Sequence, residues 1–496
     1  MLTIPAVLRD AYRSAPDKTA IEEKGRPIAY RELYENVSKL AGALSAIGAG
    51  KGTKAILMME NGAEYIYAFY ALASLGCIVV PMDRNMKNEL PRAAEETGAE
   101  LLFVTGGLTD QEQAQIKPIR SLRHVIVSGK HNERPDFISF ERLLSQGRGD
   151  LQDYVGLVQE GDLACISFTS GTVSKPKGVM LTHYTLVFNS RELGNALNAS
   201  EHDIFFNILP LFHTYGISIN LLLPVILKTT VVLHGSLSLR EVVQELNRTG
   251  ATIFACIPVM YEKMKKVLDA EKPRTVQKFI SSAAPLPYSL VQYYKEKLDI
   301  AIINIYGSSE ANTTAIQYDC YNAPKYSVGR LLPSFEAKIT DEAGEPLPRG
   351  EEGEIMLRTP KMMQGYYRMP EQTAAVLRDG WYRTGDIGYV SEDGQLFITG
   401  RKKDMFIVGG KKVFRQDIEE IIMSCGHVQE VRVRAEHDPS RGDELIAEIV
   451  PKEGAELTEA DVLTYCRSIA APHKVPRRIV FRSALEQTAS WKKTFV

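Results

Sequence analysis

Eleven residues, Phe168-Thr-Ser-Gly-Thr-Val-Ser-Lys-Pro-Lys-Gly178, concentrate hydroxyl groups, glycines and lysines. They follow the apolar run 163–166, which predicts a short buried strand. A strand that leads into a loop of small residues brings backbone N–H groups and hydroxyls together around a phosphate, and a lysine adds positive charge. The alternative is a mobile basic surface loop, because most clusters of this composition are only that. No Gly-Lys-Ser/Thr sequence occurs here, so the stretch is not a Walker P-loop.

Length and composition predict a globular protein with more than one domain. The chain has 496 residues, too many for one ordinary core. Its 59 Lys and Arg nearly balance its 61 Asp and Glu, so charge gives no reason to expect a nucleic-acid partner. The six cysteines are scattered without metal-ligand spacing, and most lie in apolar runs, which favours a reducing compartment.

The expected location is the cytoplasm. The first residues, Met-Leu-Thr-Ile-Pro-Ala, lack the basic segment and apolar run of a secretion signal. The most apolar window, 65–82, is interrupted by Gly76 and Pro81. It therefore predicts a core helix followed by a strand, and no transmembrane segment.

Helical and strand patterns alternate along the chain. Residues 30–47 have the apolar spacing of an amphipathic helix. Helix-then-strand patterns recur at 64–75 with 78–80, 90–97 with 101–104, and 239–249 with 252–257. This alternation predicts α/β layers with largely parallel sheets. Short strands between turns predict a small β subdomain at 326–358. A compact α/β unit follows the charged tetrad 401–404, and Thr458 with Asp461 predicts a helix capping box there.

Four further clusters carry residues suited to nucleotide chemistry, although each has an ordinary structural alternative. A lone histidine lies in Leu209-Pro-Leu-Phe-His-Thr-Tyr-Gly216, and by itself it is more often a packed or surface residue. Ser282-Ala-Ala-Pro-Leu-Pro287 follows a predicted strand and reads equally as a plain turn. Ile303-Asn-Ile-Tyr-Gly-Ser-Ser-Glu310 offers a ring that can stack on a base and a carboxylate for Mg²⁺. Trp381-Tyr-Arg-Thr-Gly-Asp386 places a carboxylate where it can accept hydrogen bonds from ribose hydroxyls.

Together and in this order, the clusters closely resemble those of the ANL superfamily of adenylate-forming, ATP-dependent AMP-binding enzymes. Within it the chain is most similar to acyl-CoA synthetases (fatty-acid–CoA ligases), and the similarity extends from Thr19-Ala-Ile21 to Lys492. The resemblance implies an α/β fold with a large N-terminal domain of layered α/β subdomains plus a small β subdomain, and a small mobile C-terminal α/β domain. We expect an AMP-binding and acyl-binding domain at 1–400, a hinge at 401–403 and a lid domain at 404–496.

The resemblance also implies a role for each matching residue. The loop around the ATP phosphates would comprise Thr169, Ser170, Gly171, Thr172 and Lys177. The rest of the ATP site would comprise Ala283, Ala284, Pro285, Tyr306, Gly307, Ser309, Asp386 and Arg401. Glu310 would bind Mg²⁺ and act in catalysis with His213 and Lys492. The hinge would turn at Lys403, and Gly409 and Gly410 would lie along the pantetheine arm of CoA.

The implied reaction activates a carboxylic acid with ATP as an acyl-adenylate, releases pyrophosphate, and passes the acyl group to the thiol of CoA. Two alternatives remain open: transfer to a carrier-protein thiol, or a nucleotide-binding relative with weakened catalysis. The second arises because Val173, Ser174 and Trp491 stand where the family usually has Thr, Gly and Gly.

The acid is expected to be a medium or long fatty acid. The run 217–224 carries no charge, and with Phe254 and Ile257 it predicts an apolar acyl pocket. Such residues are more often plain core, which is the alternative. An amino-acid substrate is disfavoured because Phe212 and His213 offer no carboxylate to hold an amine.

Overall fold

The structure is a computed structural model that describes residues 1–106, 108–129, 136–169, 176–234, 238–438 and 442–485. Four expected site residues lie outside these ranges: Ser170, Gly171, Thr172 and Lys492.

The helices occupy the positions that the apolar periodicity predicts, to within two residues for those named above. They are α1 (Ile4–Ser14), α2 (Tyr30–Ala46), α3 (Ala63–Ser74), α4 (Leu90–Thr97), α5 (Asp110–Ile116), α6 (Phe140–Gln146), α7 (Gln152–Val155), α8 (His183–Ala196), α9 (Thr214–Gly216), α10 (Leu223–Leu227), α11 (Leu239–Thr249), α12 (Pro258–Leu268), α13 (Tyr288–Leu298), α14 (Pro370–Val376), α15 (Arg415–Met423) and α16 (Glu459–Ile469). A π-helical segment, Ile217–Leu222, separates α9 from α10, and 3₁₀ turns lie at Lys87–Glu89, Lys402–Asp404 and Pro472–Lys474.

The strands alternate with the helices over most of the chain. They are β1 (Thr19–Glu23), β2 (Arg26–Ala29), β3 (Lys54–Met58), β4 (Ile78–Pro81), β5 (Leu101–Thr105), β6 (His124–Ser128), β7 (Phe137–Ser139), β8 (Leu163–Phe168), β9 (Gly178–Thr182), β10 (Ile204–Asn207), β11 (Thr230–Leu233), β12 (Ile253–Cys256), β13 (Lys278–Ser281), β14 (Ile302–Ser308), β15 (Asn312–Gln317), β16 (Ser327–Leu331), β17 (Glu336–Thr340), β18 (Gly353–Arg358), β19 (Gly365–Tyr366), β20 (Leu377–Arg378), β21 (Trp381–Val390), β22 (Gln395–Arg401), β23 (Met405–Val408), β24 (Lys411–Phe414), β25 (Val428–Asp438), β26 (Gly442–Pro451) and β27 (Arg478–Phe481).

The chain forms two compact units. The first comprises Met1–Ala323, Leu331–Phe335 and Arg358–Gly380, and the second comprises Pro324–Arg330, Glu336–Leu357 and Trp381–Val496. The predicted α/β fold class is confirmed. The predicted domain boundaries at 1–400, 401–403 and 404–496 stay a prediction.

The first unit contains two largely parallel sheets, as the alternation of helices and strands predicts. One sheet has the order β19-β9-β8-β4-β3-β5-β6-β7, with parallel pairing from β8 to β7 and antiparallel pairing of β8 with β9 and of β9 with β19. The other contains the order β15-β14-β13-β12-β10-β11-β1-β2, parallel from β14 to β1, with β15 antiparallel to β14 and β2 antiparallel to β1.

The apolar window 65–82 forms part of the interior of this unit. Every residue of α3 except Glu64 is buried, and Val79 and Val80 on β4 are fully buried. Gly76 ends the helical part with a φ of 70°, which favours glycine. Among the described residues, no helix combines the length and the hydropathy that spanning a lipid bilayer requires.

The second unit contains the predicted small β subdomain and the C-terminal α/β part. The subdomain includes the order β17-β18-β21-β22-β16, with β20 beside β21. The C-terminal part has the sheet order β24-β23-β26-β25, with β27 parallel to β26. Its core joins the buried residues Ile418 and Ile422 of α15 to Val462 and Cys466 of α16. The predicted capping box is present at the start of α16.

Candidate active site

The antiparallel β8–β9 hairpin supports the expected phosphate loop. Phe168 pairs with Gly178, and the Thr169 N–H donates to the Lys177 carbonyl at 2.9 Å. The Thr169 hydroxyl contacts the same carbonyl at 3.4 Å. These contacts close the base of the loop and place Lys177 directly before β9. The strand predicted from the apolar run 163–166 is therefore confirmed.

A tight hairpin between β14 and β15 carries the expected metal ligand. Tyr306 and Gly307 lie on β14, and Ser309 and Glu310 form the turn that follows. A Cβ atom on Gly307 would lie 2.2 Å from the Asn312 carbonyl oxygen, so only glycine fits there. The close approach of the two strands fixes where Glu310 leaves the sheet.

The small-residue loop after β13 lies beside β14. The Ser282 hydroxyl donates to the Ile305 carbonyl at 2.8 Å, next to Tyr306. Ala283 has a φ of 69°, a left-handed conformation that is uncommon for a residue with a side chain and is enriched at active sites. Ala284 and Pro285 continue this loop, so the structure brings the two expected adenine-binding segments together.

His213 is held at the start of a short helical turn. It is the N-cap of α9, and its Nδ1 accepts a hydrogen bond from the Tyr215 N–H at 3.3 Å. An accepting Nδ1 places the proton of a neutral imidazole on Nε2. The hydroxyl oxygens of Thr214 and Ser309 are 3.5 Å apart, so the His213 segment lies beside the turn that carries Glu310.

Tyr366 connects two expected site residues, and the sequence reasoning missed it. Its hydroxyl donates to Glu310 Oε1 at 2.9 Å, and the Lys177 ammonium lies 4.6 Å from the centre of its ring. Tyr366 lies on β19, which pairs with β9. The sequence signal is weak: Gly365-Tyr366-Tyr367 is an aromatic pair after a glycine, with nothing in its spacing that points to Lys177 or Glu310.

The expected ribose-binding pair lies within the second unit. Asp386 on β21 is directly opposite Arg401 on β22, and Arg401 Nε is 2.9 Å from Asp386 Oδ1. Only 5% of the Asp386 side chain is exposed, against 54% for Arg401. Arg401 therefore orients a nearly buried carboxylate. The ribose-binding role expected for this pair stays a prediction.

The other expected residues of the second unit lie on turns. Lys403 lies in the 3₁₀ turn Lys402–Asp404, directly after β22. Gly409 and Gly410 form the turn between β23 and β24, with φ angles of 56° and 76°. The roles expected for these residues stay predictions.

The donor set around Glu310 is compatible with Mg²⁺ bound together with a nucleotide. Within the described ranges, no group of three or more His, Cys, Asp or Glu residues could hold a metal ion by itself. Mg²⁺ is commonly held by one or two carboxylates together with substrate phosphates. Glu310 as a single carboxylate near Lys177 matches that arrangement, and a permanently bound structural metal would need more ligands.

Comparison with known families identifies the family to which the chain belongs. A model described as AMP-binding enzyme matches residues 8–367, and a model of the AMP-binding enzyme C-terminal domain matches residues 417–492. The chain belongs to the AMP-binding enzyme family. The resemblance to adenylate-forming enzymes is therefore confirmed. The first match covers Thr169, Lys177, His213 and Glu310.

This AMP-binding enzyme is similar over nearly its whole length to named relatives. It is 28% identical to the long-chain-fatty-acid–CoA ligase of Bacillus subtilis (strain 168), over 99% of this chain and 93% of the relative. It is 31% identical to the 2-succinylbenzoate–CoA ligase of Geobacillus kaustophilus (strain HTA426), over 99% of this chain and 96% of the relative. A solved structure of O-succinylbenzoate coenzyme A synthetase (MenE) from Bacillus subtilis, in complex with ATP and magnesium ion, matches with a TM-score of 0.86 and 25% identity, over 97% of this chain and 96% of that chain.

Proposed function

We propose that this AMP-binding enzyme is an AMP-forming acid–thiol ligase, an ATP-dependent acyl-CoA synthetase. One observation carries the proposal: Lys177 and Glu310, a cation and a carboxylate expected at the phosphates and the metal, both contact Tyr366. Two groups of opposite charge beside one ring provide a site for an anionic nucleotide with its metal ion. The relatives named above are CoA ligases for two very different acids, which supports the reaction type and leaves the acid open.

The first half-reaction forms a mixed anhydride. A carboxylate oxygen of the acid attacks the α-phosphorus of ATP, the bond from that phosphorus to the bridging oxygen breaks, and pyrophosphate leaves. Mg²⁺, held by Glu310, would supply charge stabilisation for the phosphate oxygens. Lys177 would bind the phosphates, Asp386 would accept hydrogen bonds from the ribose hydroxyls, and His213 would act in catalysis. Lys492 assists this step in the proposal.

The second half-reaction transfers the acyl group. The sulfur of CoA attacks the carbonyl carbon, the bond to the AMP oxygen breaks, and AMP leaves. Gly409 and Gly410 would admit the pantetheine arm because neither carries a side chain, and nothing lies within 4 Å of the Cβ position of either. Rotation at Lys403 between the half-reactions is part of the proposal.

The proposed acid is a medium or long fatty acid. All residues of Ile217–Leu222 are buried, and the segment has π-helical geometry, which is frequent at functional sites. Phe254 and Ile257 support the proposal less, because Phe254 is fully buried and its ring packs against Phe206. The proposal of a fatty acid therefore rests mainly on the π-helical segment and on the Bacillus subtilis relative.

A more polar acid is the second candidate. The hydroxyls of Tyr215 and Ser281 are buried and have no hydrogen-bond partner among the described residues. Ser281 is fully buried at the end of β13, close in sequence to the Ala283 loop. Because buried hydroxyls are rarely left without partners, these two could bind a polar group of the substrate.

Pyrophosphate release separates the candidates. The purified enzyme would be assayed with ATP and Mg²⁺ against saturated fatty acids, hydroxylated aromatic acids and short dicarboxylates. The proposal expects release with fatty acids and thioester formation with CoA. Release only with polar acids would favour the second candidate, and thioester only with a carrier-protein thiol would replace CoA as the acceptor. ATP binding without release for any acid would indicate a relative with weakened catalysis.

A cytoplasmic location is also proposed. All six cysteines are free thiols, and burial raises the pKa of Cys77 to about 12 and makes its thiol unreactive. Free thiols are typical of proteins in a reducing compartment.

A further inference from the structure

Tyr366 is held rigidly between the two expected nucleotide-binding groups. Tyr366 is 5% exposed, and its backbone N–H donates to the Thr373 hydroxyl at 2.9 Å. It pairs with Val179 across β19 and β9, only two residues after Lys177. Burial and the backbone contacts of Tyr366 therefore restrict where its ring can lie.

The segment that carries Tyr366 also holds the main chain of Glu310. The Met363 N–H donates to the Glu310 carbonyl at 2.9 Å, and the Tyr366 hydroxyl donates to Glu310 Oε1 at 2.9 Å. Backbone and side chain of Glu310 are thus fixed by the same short segment. The hydrogen bond to Oε1 restricts rotation of the Glu310 carboxylate.

The ring face performs a separate task. The Lys177 ammonium lies 4.6 Å from the ring centre, within the range in which a cation is attracted to the negative face of an aromatic ring. This contact needs the ring and does not need the hydroxyl. The hydroxyl contact with Glu310 and the ring contact with Lys177 can therefore be removed independently.

We propose that Tyr366 is a positioning residue that sets Glu310 and Lys177 in the geometry required by Mg²⁺-bound ATP. The inference rests on the proposed function, because it takes Glu310 as the metal ligand and Lys177 as a phosphate ligand. The hydroxyl governs the use of Mg²⁺, and the ring governs the affinity for the phosphates.

Two substitutions at Tyr366 separate the tasks. Tyr366→Phe keeps the ring and removes the hydroxyl, and Tyr366→Leu removes both. Tyr367→Phe is the matched control, since the neighbouring hydroxyl donates to the Thr97 carbonyl at 3.2 Å and contacts neither site residue. Calorimetry would give the dissociation constant of ATP as Mg²⁺ is varied, and again with EDTA present. Melting temperatures would confirm that each variant is folded.

Tyr366→Phe should raise the Mg²⁺ concentration for half-maximal ATP binding by about tenfold, the effect of losing one hydrogen bond to a charged group. It should leave ATP affinity in EDTA unchanged. Tyr366→Leu should in addition weaken ATP binding in EDTA by about threefold or more, because the contact with Lys177 is lost. Tyr367→Phe should behave as the unaltered enzyme in both titrations.

Glu310→Gln distinguishes failure of this inference from failure of the proposed site. If Glu310→Gln shifts the Mg²⁺ titration and Tyr366→Phe does not, Tyr366 has no positioning role and the inference is overturned. If Glu310→Gln leaves the titration unchanged, the metal site itself is misassigned. Equal effects of Tyr366→Phe and Tyr366→Leu in EDTA would show that the ring does not hold Lys177.

Discussion

Lys361 forms a buried ion pair in the first unit. It is fully buried, and its ammonium lies 2.6 Å from Glu192 Oε2 and donates to the Thr313 carbonyl at 2.8 Å and to Asn189 Oδ1 at 3.0 Å. Burial lowers the pKa of Lys361 to about 8, although the Glu192 carboxylate raises it. The Ser334 N–H and hydroxyl donate to the same carboxylate at 2.8 Å. Both the Lys361 ammonium and the Glu192 carboxylate thus have hydrogen-bond partners, and each charge is stabilised by the opposite charge beside it.

Removing one member of this pair should be strongly destabilising. Lys361→Met leaves the Glu192 carboxylate buried without its cation, which should lower the free energy of unfolding by about 3–5 kcal/mol. The double variant Lys361→Met/Glu192→Leu should recover a large part of that loss. The unaltered protein, the two single variants and the double variant form a double-mutant cycle. Urea unfolding of these four proteins measures the loss in the single variant and the recovery in the double variant. Lys295→Met is the control and should cost much less, because the exposed Lys295–Asp299 pair is screened by solvent.

If the loss of unfolding free energy in the double variant equals the sum of the losses in the two single variants, this account is contradicted. Additivity would mean that Lys361 and Glu192 contribute through packing alone and not through their mutual charge.

Burial of His183 should make the stability of the folded protein sensitive to acid. Its Nδ1 accepts from the Ile4 N–H at 3.3 Å, and burial lowers its pKa to about 4, against a smaller opposing effect of Asp162. A pKa lowered in the folded state means that the unfolded chain binds the proton first. The contribution of neutral, buried His183 to the free energy of unfolding is therefore complete above about pH 6.5. It is lost as the pH falls towards 4, by up to about 3 kcal/mol.

The measurement is urea unfolding between pH 4 and pH 7. His183→Gln should reduce the slope of stability against pH in this window, whereas His202→Gln should not, because 88% of the His202 side chain is exposed. Parallel curves for the unaltered protein and His183→Gln would show that His183 does not carry the effect.

At the scale of elements, the start of α16 has the capping box that its local sequence predicts. The Thr458 hydroxyl accepts from the Asp461 N–H at 3.2 Å, and the Asp461 carboxylate accepts from the Thr458 N–H at 3.0 Å. Thr458→Ala should lower the melting temperature by about 2–4 °C, because it leaves helix N–H groups without a partner. Thr458→Ser keeps the hydroxyl and is the control. Equal melting temperatures for the two variants would rule out a stabilising cap.

Elements with an apolar pattern of their own were predictable, and elements that depend on a distant partner or on an unusual helical geometry were not. The spacing of apolar residues predicts α2, α4 and α11 because each helix buries one face along its length. The two-residue strand β19 has no period of its own and exists because β9 offers it hydrogen bonds. The π-helical geometry of Ile217–Leu222 likewise has no local signature, since an apolar run is compatible with any helix.

At the scale of the whole molecule, the two half-reactions should depend on different residues. Gly409→Ala adds a side chain where the pantetheine arm is proposed to pass, so it should slow thioester formation about tenfold or more while sparing adenylate formation. Gly454→Ala is a matched control: Gly454 also has a positive φ, 74°, with nothing near its Cβ position, so it adds the same backbone strain without touching the proposed path. Lys492→Ala should do the opposite and slow adenylate formation alone.

Single-turnover assays with isolated acyl-adenylate measure the second step, and pyrophosphate release measures the first. If Gly409→Ala and Gly454→Ala slow thioester formation equally, strain and not obstruction is the cause, and Gly409 loses its assignment. Equal damage to both steps by Lys492→Ala would remove that residue from the adenylation role.

The amino-acid sequence by itself determined the family, the α/β layers and the identity of most candidate site residues. The layers follow from local periodicity, and the family and the candidate site residues follow from the resemblance of short clusters to those of a known superfamily. Both can be recognised without knowing the fold. Only the tertiary structure decided that Tyr366 contacts Glu310, 56 residues away, and that Lys361 contacts Asn189, 172 residues away. Such contacts follow from how strands pair and from which side chains are buried together. Neither strand pairing nor joint burial of distant side chains produces a periodic pattern in the sequence.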